Sequence, residues 1–557
     1  MSRTSRWSRG LVPRHRVPRH RVALASAGSA LSLAAWTSGC VVPPGPGTLI
    51  TPGDPGASDV SFTITSNLDN HAISSWIYGT NGATDLSANR QTLVRQGGNR
   101  FTAYNWENNA SNAGSDWCFQ NDSYLSSSST PGAAVKGTID AANAAGATNL
   151  VTIPIVDYVA ADKNGGCDVR NSGPDYLSTR FEQNHASKPG GSYTTSPPQA
   201  DDNVYQDEFV NWLKVNYPNR SFVFDLDNEP DLWSDTHAEV HPAQVTYDEL
   251  RSRNLSYAAA IKAVMPGATV AGPVNYGFAG YENLQGAPDA GSHGNFLDWW
   301  LGQMRAADTA AGKRLVDVMD IHWYPEATGG GQRITSTDTS AAVVAARVQA
   351  PRSLWDPTYV ESSWITDPNQ YNYGAIRLIP RMRDRISTYD PGLGLGFSEW
   401  NYGGGNHVSG AVASADVLGI FGRENVTLAT MWPLDPNQAF TYAAFKAFRN
   451  FDGAGAAFGD TSIRAACSDS ALASVYASVD AANPNRTVIV AINKSTSPRS
   501  AGIRVAHTQA YSHAKVYTVT ASGGASAVAQ PDIATVATNA YNYTMPPMSI
   551  SVIVPQP

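Results

Sequence analysis

The chain reads as an α/β protein, a (β/α)8 barrel of the TIM type with an attached β-sandwich. Three observations predict this. Strand-like and helix-like patterns alternate eight times over roughly 370 residues. Short alternating segments rich in Val, Ile and Tyr follow that region, and one similar segment precedes it. Two of the eight strand candidates end abruptly in a carboxylate, where barrel enzymes place their chemistry.

Taken in order, residues 1–21 carry Arg and His without an acid, 22–36 form an apolar run rich in Ala, Leu and Ser, and small residues precede Cys40. That layout is a secretory leader. The residues before Cys40 also resemble a lipoprotein cleavage site, with Thr37 standing where a Leu is usual, so two endings are open: acylation of Cys40, or simple cleavage by a signal peptidase. Residues 41–58, rich in Pro and Gly and without a hydrophobic pattern, read as a flexible tether. The mature chain is expected to be secreted or displayed at the cell surface as a lipoprotein, and to be a monomer.

With 557 residues, 42% of them hydrophobic and 15% charged, the chain can bury a large core, and its net charge of -8 is mild. No basic patch outside the leader points to nucleic acid. Cys118, Cys167 and Cys467 lack zinc spacing, and a Cys118 to Cys167 bridge suits an oxidising compartment.

The half-exposed strand at 60–65 alternates apolar and polar residues. Barrel strands are then predicted at 77–80, 100–106, 150–156, 222–227, 269–274, 316–323, 393–400 and 426–432. Amphipathic helices are predicted at 208–217, which stops at Pro218, and at 247–264, 410–424 and 439–451. A doubly wound open sheet is the rival, but no glycine-rich phosphate fingerprint follows the first strand. After residue 452, short strands at 472–478, 487–493, 502–506, 515–519 and 549–554 predict the sandwich, and residues 59–75 are expected to complete it from the other chain end. A carbohydrate-binding module is the alternative for this domain.

The chemistry gathers at two strand ends. FVFDLDNEPDLWSDTH (222–237) runs as a buried apolar strand and turns polar at Asp227, Asn228 and Glu229 before Pro230. LGLGFSEWN (393–401) repeats the pattern with Glu399. For either glutamate alone a surface-turn carboxylate is as good a reading. Together, on the fourth and seventh strands, they face one cleft mouth, as glycoside hydrolysis requires: one protonates the leaving oxygen, and the other attacks the anomeric carbon or activates water. Asn228 is placed to hold the sugar 2-hydroxyl.

The runs GGNRFTAYNWENNASNAGSDW (97–117), LDNEPDLWSDTH (226–237), AGPVNYGF (271–278), DIHWYPEA (320–327) and FSEWNYGG (397–404) resemble glycoside hydrolase family 44. The resemblance implies a retaining endo-β-1,4-glucanase or xyloglucanase with Glu229 as acid/base and Glu399 as nucleophile. It implies that Arg100 holds the nucleophile ionised, and that tryptophans like Trp117, Trp364 and Trp432 line the cleft. Thr366, Asp367 and Pro368 stand where some members carry a second aromatic shortly after the Trp364 position.

The residues themselves allow other roles: a structural ion pair for Arg100, a satisfied core histidine for His322, core packing for each tryptophan. His322 and Tyr324 flank the end of the sixth strand and are candidates for sugar contact. Glu361 is read as a loop-positioning acid. Glu107 with Asp157 or Asp162 is a candidate structural calcium site, and no organic or redox cofactor is expected. Two other functions compete: an endo-hydrolase of xylan or mannan, and a non-catalytic surface glycan-binding lipoprotein, which needs the tryptophans but not the two glutamates.

Overall fold

The structure is a computed structural model that describes residues 47–199 and 201–557. The expected leader and Cys40 lie outside the described residues.

Eight parallel strands close into a barrel whose spatial order follows the chain: Gly79–Asn81, Leu93–Gln96, Thr148–Ile153, Phe222–Leu226, Thr269–Asn275, Val318–Trp323, Gly394–Trp400 and Leu428–Met431. Thr430 of the eighth strand pairs with Gly79 of the first and closes the ring. At the N-terminal end of the strands, Leu93, Leu150, Val223, Ala271, Val318 and Leu428 fill the interior as an apolar plug. The layer above it is polar, with Arg95, Asp225 and Asp320 fully buried. A layer of buried charge persists only when its members satisfy one another, which fixes their mutual geometry.

Seven of the eight expected strands lie within a few residues of their predicted positions. The exception is the second, which is Leu93–Gln96 and not 100–106. Its two apolar residues are followed by Arg95 and Gln96, too short and too polar to show as a strand. Gly98, at φ +91°, then turns the chain off the barrel, and Asn99–Thr102 forms one helical turn.

The outer helices include Gln206–Asn216, Tyr247–Val264, Val408–Arg423 and Ala439–Arg449. Tyr247–Val264 starts where Thr246 accepts the amide of Glu249 at 3.1 Å, and ends before Pro266. Val408–Arg423 is mostly apolar and buried on every side through Gly422 because the second domain covers its outer side. At Gly419 a Cβ would collide with the ring of Tyr476, so only glycine permits this approach.

That second domain is a ten-stranded sheet, mostly antiparallel, made from both chain ends. Val60–Thr65 lies between Thr461–Cys467, to which it is antiparallel, and Arg499–Ala506, to which it is parallel. Tyr541 Oη donates to the His513 carbonyl at 3.2 Å and Tyr543 Oη meets Ser551 Oγ at 3.1 Å, so strands from opposite ends of the sheet face each other. Val60, Phe62, Ile64, Ile503, Val516 and Ile553 share the enclosed core. Strands Thr461–Cys467, Gly524–Ala534 and Ala540–Met545 were not among those expected from the sequence.

The tether reading is corrected for residues 47–58. Ile50 bridges His507, the Gly53 amide donates to the Thr538 carbonyl at 2.7 Å, and Arg504 pairs with Asp54 at 2.8 Å. Main-chain pairing with the sheet needs no hydrophobic pattern, so the composition did not show it. Cys118 and Cys167 form a disulfide with Cα atoms 5.3 Å apart, and Cys467 is free. No helix among the described residues is long and apolar enough to cross a membrane.

The two domains are joined by a buried ion pair. Lys494 Nζ lies 2.8 Å from Asp416 on the shared helix, both side chains are 1% exposed, and Tyr476 Oη donates to the same carboxylate at 2.6 Å. Lys494→Met leaves Asp416 buried and unpaired, and is expected to cost about 3–5 kcal/mol in urea unfolding, whereas adding Asp416→Leu recovers much of that loss.

Candidate active site

Glu229 and Glu399 both reach the C-terminal mouth of the barrel. One carboxylate oxygen of each, together with a ring nitrogen of His322, lie within 4.8 Å of one another. The backbone that presents Glu229 is unusual: Asp227 (φ 71°), Glu229 (φ 46°) and Val274 (φ 60°) all sit in the left-handed region. Such non-glycine positions are costly and persist only where surrounding contacts over-determine them. Here Asp227 does so. Its carboxylate accepts Thr102 Oγ1 at 2.6 Å, the Ile155 amide at 2.6 Å and the Asn228 amide at 2.8 Å, while the Glu229 amide donates to the Val274 carbonyl at 3.0 Å.

Arg95 is the hub of the site. Its Nε donates to Asp225 at 2.6 Å, Nη1 to Glu399 Oε1 at 2.7 Å and to Asn81 at 3.1 Å, and Nη2 to the Asn228 side-chain carbonyl at 2.9 Å. Burial pulls this guanidinium down, but Asp225 and Glu399 more than offset it and keep the group charged. With its carbonyl held, Asn228 has its amide protons to offer a ligand.

The contact with Glu399 expected of Arg100 is made instead by Arg95. Arg100 pairs with Asp122 at 2.7 Å and stacks over Tyr124 with 4.1 Å to the ring centre, on the loop side of the mouth. Arginine near the second strand was the right residue type. The strand boundary placed it five residues late.

The two glutamates have contrasting surroundings. Glu399 takes Arg95 on one oxygen and the Tyr324 hydroxyl on the other at 2.6 Å. Glu229 is pushed up to about 8 by burial, with Arg95 opposing and Asp116 adding to the shift. Its polar neighbour is His322, whose Nδ1 lies 2.8 Å from Oε1. Burial lowers His322 to about 4, so the ring is neutral near pH 7. Burial disfavours the charged form of Glu229, whereas Glu399 is fixed by two hydrogen-bond donors, Arg95 and Tyr324.

The three tryptophans differ. Trp117 is 64% exposed, on the turn Gly114–Trp117 whose Asp116 acts on Glu229. Trp432 is partly buried at the end of the eighth strand, and its ring fills the space that a Cβ at Gly98 would need. Trp364 borders a cavity of about 140 Å³ with Tyr276, Phe278, Tyr324 and Arg333. Tyr371, which sequence reasoning missed, packs against Trp364 with ring centres 5.3 Å apart and is 44% exposed. An aromatic does accompany Trp364 after all, seven residues on.

Glu361 is buried, accepts Ser353 Oγ at 2.6 Å and is pushed up to about 7 by burial. Asp157 and Asp162 are engaged by Arg253 at 2.7 Å and Arg180 at 2.6 Å, so neither stands free for a shared ion with Glu107. The acids acting on Glu107 are Glu182, Asp201 and Glu208, which with burial raise it to about 9.

Residues 110–327 match the model of glycoside hydrolase family 44. The chain is 41% identical over 522 residues to endoglucanase A of Paenibacillus lautus, covering 89% of this chain and 73% of that one. The chain belongs to glycoside hydrolase family 44. It superposes on a family 44 xyloglucanase from Paenibacillus polymyxa, solved with xyloglucan, at a TM-score of 0.84 and 39% identity, over 89% of this chain and 99% of that one. A family 44 endoglucanase from Clostridium thermocellum gives 0.84 and 38%, over 90% and 100%. The protein is a glycoside hydrolase, and its two strand-end glutamates stand where that chemistry needs them.

Arg95→Met removes a charge-assisted donor from Glu399 and strands Asp225. Turnover is expected to fall about 10²–10³-fold with a lowered melting temperature, and Arg95→Lys to recover part of the stability but little of the rate, since one ammonium cannot span four acceptors.

Proposed function

We propose that this enzyme cleaves β-1,4-glucan backbones internally, with xyloglucan or cellulose-type glucan as substrate, by double displacement. Glu229 protonates the leaving oxygen and Glu399 forms the glycosyl-enzyme. Glu229 then activates the water that releases the sugar. The observation that carries this reading is the closeness of the two carboxylates, with oxygens inside 4.8 Å. Retaining enzymes place the carboxyl groups about 5–5.5 Å apart, whereas inverting ones need about 6.5–9.5 Å to admit a water. Asn228 suits the 2-hydroxyl contact, and the aromatic faces of Trp117, Trp364 and Tyr371 suit pyranose rings.

Wild type is to be assayed on tamarind xyloglucan, carboxymethylcellulose, xylan and glucomannan beside Glu229→Gln and Glu399→Gln. Internal cutting of a β-glucan, with losses of about 10³-fold or more in both variants and retained binding, is the expected result. Preference for xylan or glucomannan would change the substrate, and binding without cutting would abolish the enzymatic reading.

We further propose export, supported by the leader pattern and by the Cys118–Cys167 disulfide. Acylation of Cys40 and a monomeric state remain part of that proposal. A structural calcium at Glu107 is part of the proposal, supported by its Oε2, which is buried with no hydrogen-bond partner among the described residues. Chelation is expected to lower the melting temperature of wild type, and Glu107→Gln to remove that sensitivity.

A further inference from the structure

Behind His322, on the side away from the cleft, lies a polar chain that the hydrolytic scheme leaves unused. His322 Nε2 is 3.0 Å from Ser398 Oγ. The Ser398 amide donates to Asp320 Oδ1 at 2.8 Å. Asp320 is fully buried, and its Oδ2 has no hydrogen-bond partner among the described residues. Asp320 begins the turn of strand that carries His322, and Ser398 directly precedes Glu399. A buried carboxylate that touches no ligand is expensive unless it does something for its neighbours.

We propose that Asp320, acting through Ser398, sets the tautomer of His322 and so keeps Glu229 in its acid form. The reading rests on Glu229 being the acid/base. As a carboxylate, Asp320 takes the Ser398 hydroxyl proton. Ser398 Oγ then presents a lone pair, which the Nε2–H of His322 meets. A neutral imidazole carries one ring proton, so Nδ1 is left bare and accepts from the Glu229 carboxyl. If Glu229 were ionised, the bare Nδ1 would face an anion. The reversed chain requires a protonated Asp320 donating to Ser398, Ser398 donating to Nε2, and Nδ1–H donating to a Glu229 carboxylate. The two arrangements differ by one proton, held by Glu229 in the first and by Asp320 in the second. Asp320 and Ser398 are thus positioning residues for the acid.

The groups facing Asp320 are Asp225 on the fourth strand, Arg95 on the second, Ser398 on the seventh and Tyr281 on the helix after the fifth. Facing Glu229 are His322, Glu399, Arg95, Tyr324, Tyr276, Tyr281, Asp116 and Asp231. Burial pushes Asp320 up to about 7, with Asp225 adding to the shift and Ser398 and Arg95 opposing it, while Glu229 stands at about 8.

The test compares wild type with Asp320→Asn, whose amide can donate to Ser398 and reverse the chain, and with Ser398→Ala, which cuts it. The first readout is the ¹⁵N spectrum of His322, which does not depend on turnover. Wild type is expected to carry the proton on Nε2, and Asp320→Asn on Nδ1. The second is the pH profile of kcat/KM. The wild-type alkaline limb, near pH 8, is expected to move at least one unit lower in Asp320→Asn, because a donor at Nδ1 stabilises the Glu229 anion. Xyloglucan turnover at pH 9, above both limbs, should then fall about tenfold in both variants. Glycosylation by a 2,4-dinitrophenyl β-glycoside, whose leaving group needs no proton, should change less than about threefold. An Nδ1–H tautomer in wild type, or an alkaline limb that stays in place in folded variants, overturns the proposal. Equal losses on both substrates would make the two residues merely structural and overturn it as well. A wild type that hydrolyses neither substrate overturns the functional reading instead, and the tautomer readout still decides the chain.

Discussion

The arrangement of the barrel mouth depends on one buried guanidinium. Arg95 contacts side chains from the first, fourth and seventh strands and from the loop after the fourth: Asn81, Asp225, Glu399 and Asn228. The planar fork of five donors is what allows one side chain to fix groups in several directions, and an ammonium cannot do so. With no solvent to compensate a misplaced charge, a shift in any partner leaves a buried group unsatisfied. The cost of burying Arg95 and Asp225 is therefore what makes the position of Glu399 precise.

From that constraint the division of labour between the glutamates follows. Glu399 is held between a guanidinium and a phenol hydroxyl, each donating to one of its oxygens. Glu229, itself in the left-handed region, is partly buried with its carboxylate against the neutral ring of His322. The strained turn at Asp227 and Glu229 is held by Asp227, whose hydrogen bonds come from three separate segments of chain. The apolar plug below the polar layer keeps water from the far end of the barrel, so these electrostatic differences are not screened.

Much of this was legible in the sequence, and the parts that were not share a cause. Glu229 and Glu399 stood out because a buried strand leaves few reasons for a carboxylate at its end. Asp225 was passed over inside the run from Phe222 to Leu226, since a single acid in an apolar strand looks like tolerated noise until its partner is known. That partner, Arg95, was missed because its strand holds only two apolar residues, and periodicity over four residues carries almost no signal. Asp320 and Ser398 were hidden in the same way, two residues before His322 and one before Glu399. Residues 47–58 join the sheet through their backbone, and Tyr371 reaches Trp364 only by a loop fold. The pairings of Arg95 with Asp225, Asn228 and Glu399 link residues 130, 133 and 304 positions apart, and one sequence does not record them.

The account rests on Glu399 attacking carbon, with Glu229 serving as acid and then as base. The most direct test is proton NMR of the anomeric signal during hydrolysis of a cello-oligosaccharide or xyloglucan oligosaccharide, recorded before mutarotation. Two displacements at one carbon predict that the β-anomer appears first and the α-anomer grows only as the sugar equilibrates. If the α-anomer appears first, water attacks the sugar directly, and the roles drawn here for Glu399, Arg95 and Tyr324 are contradicted.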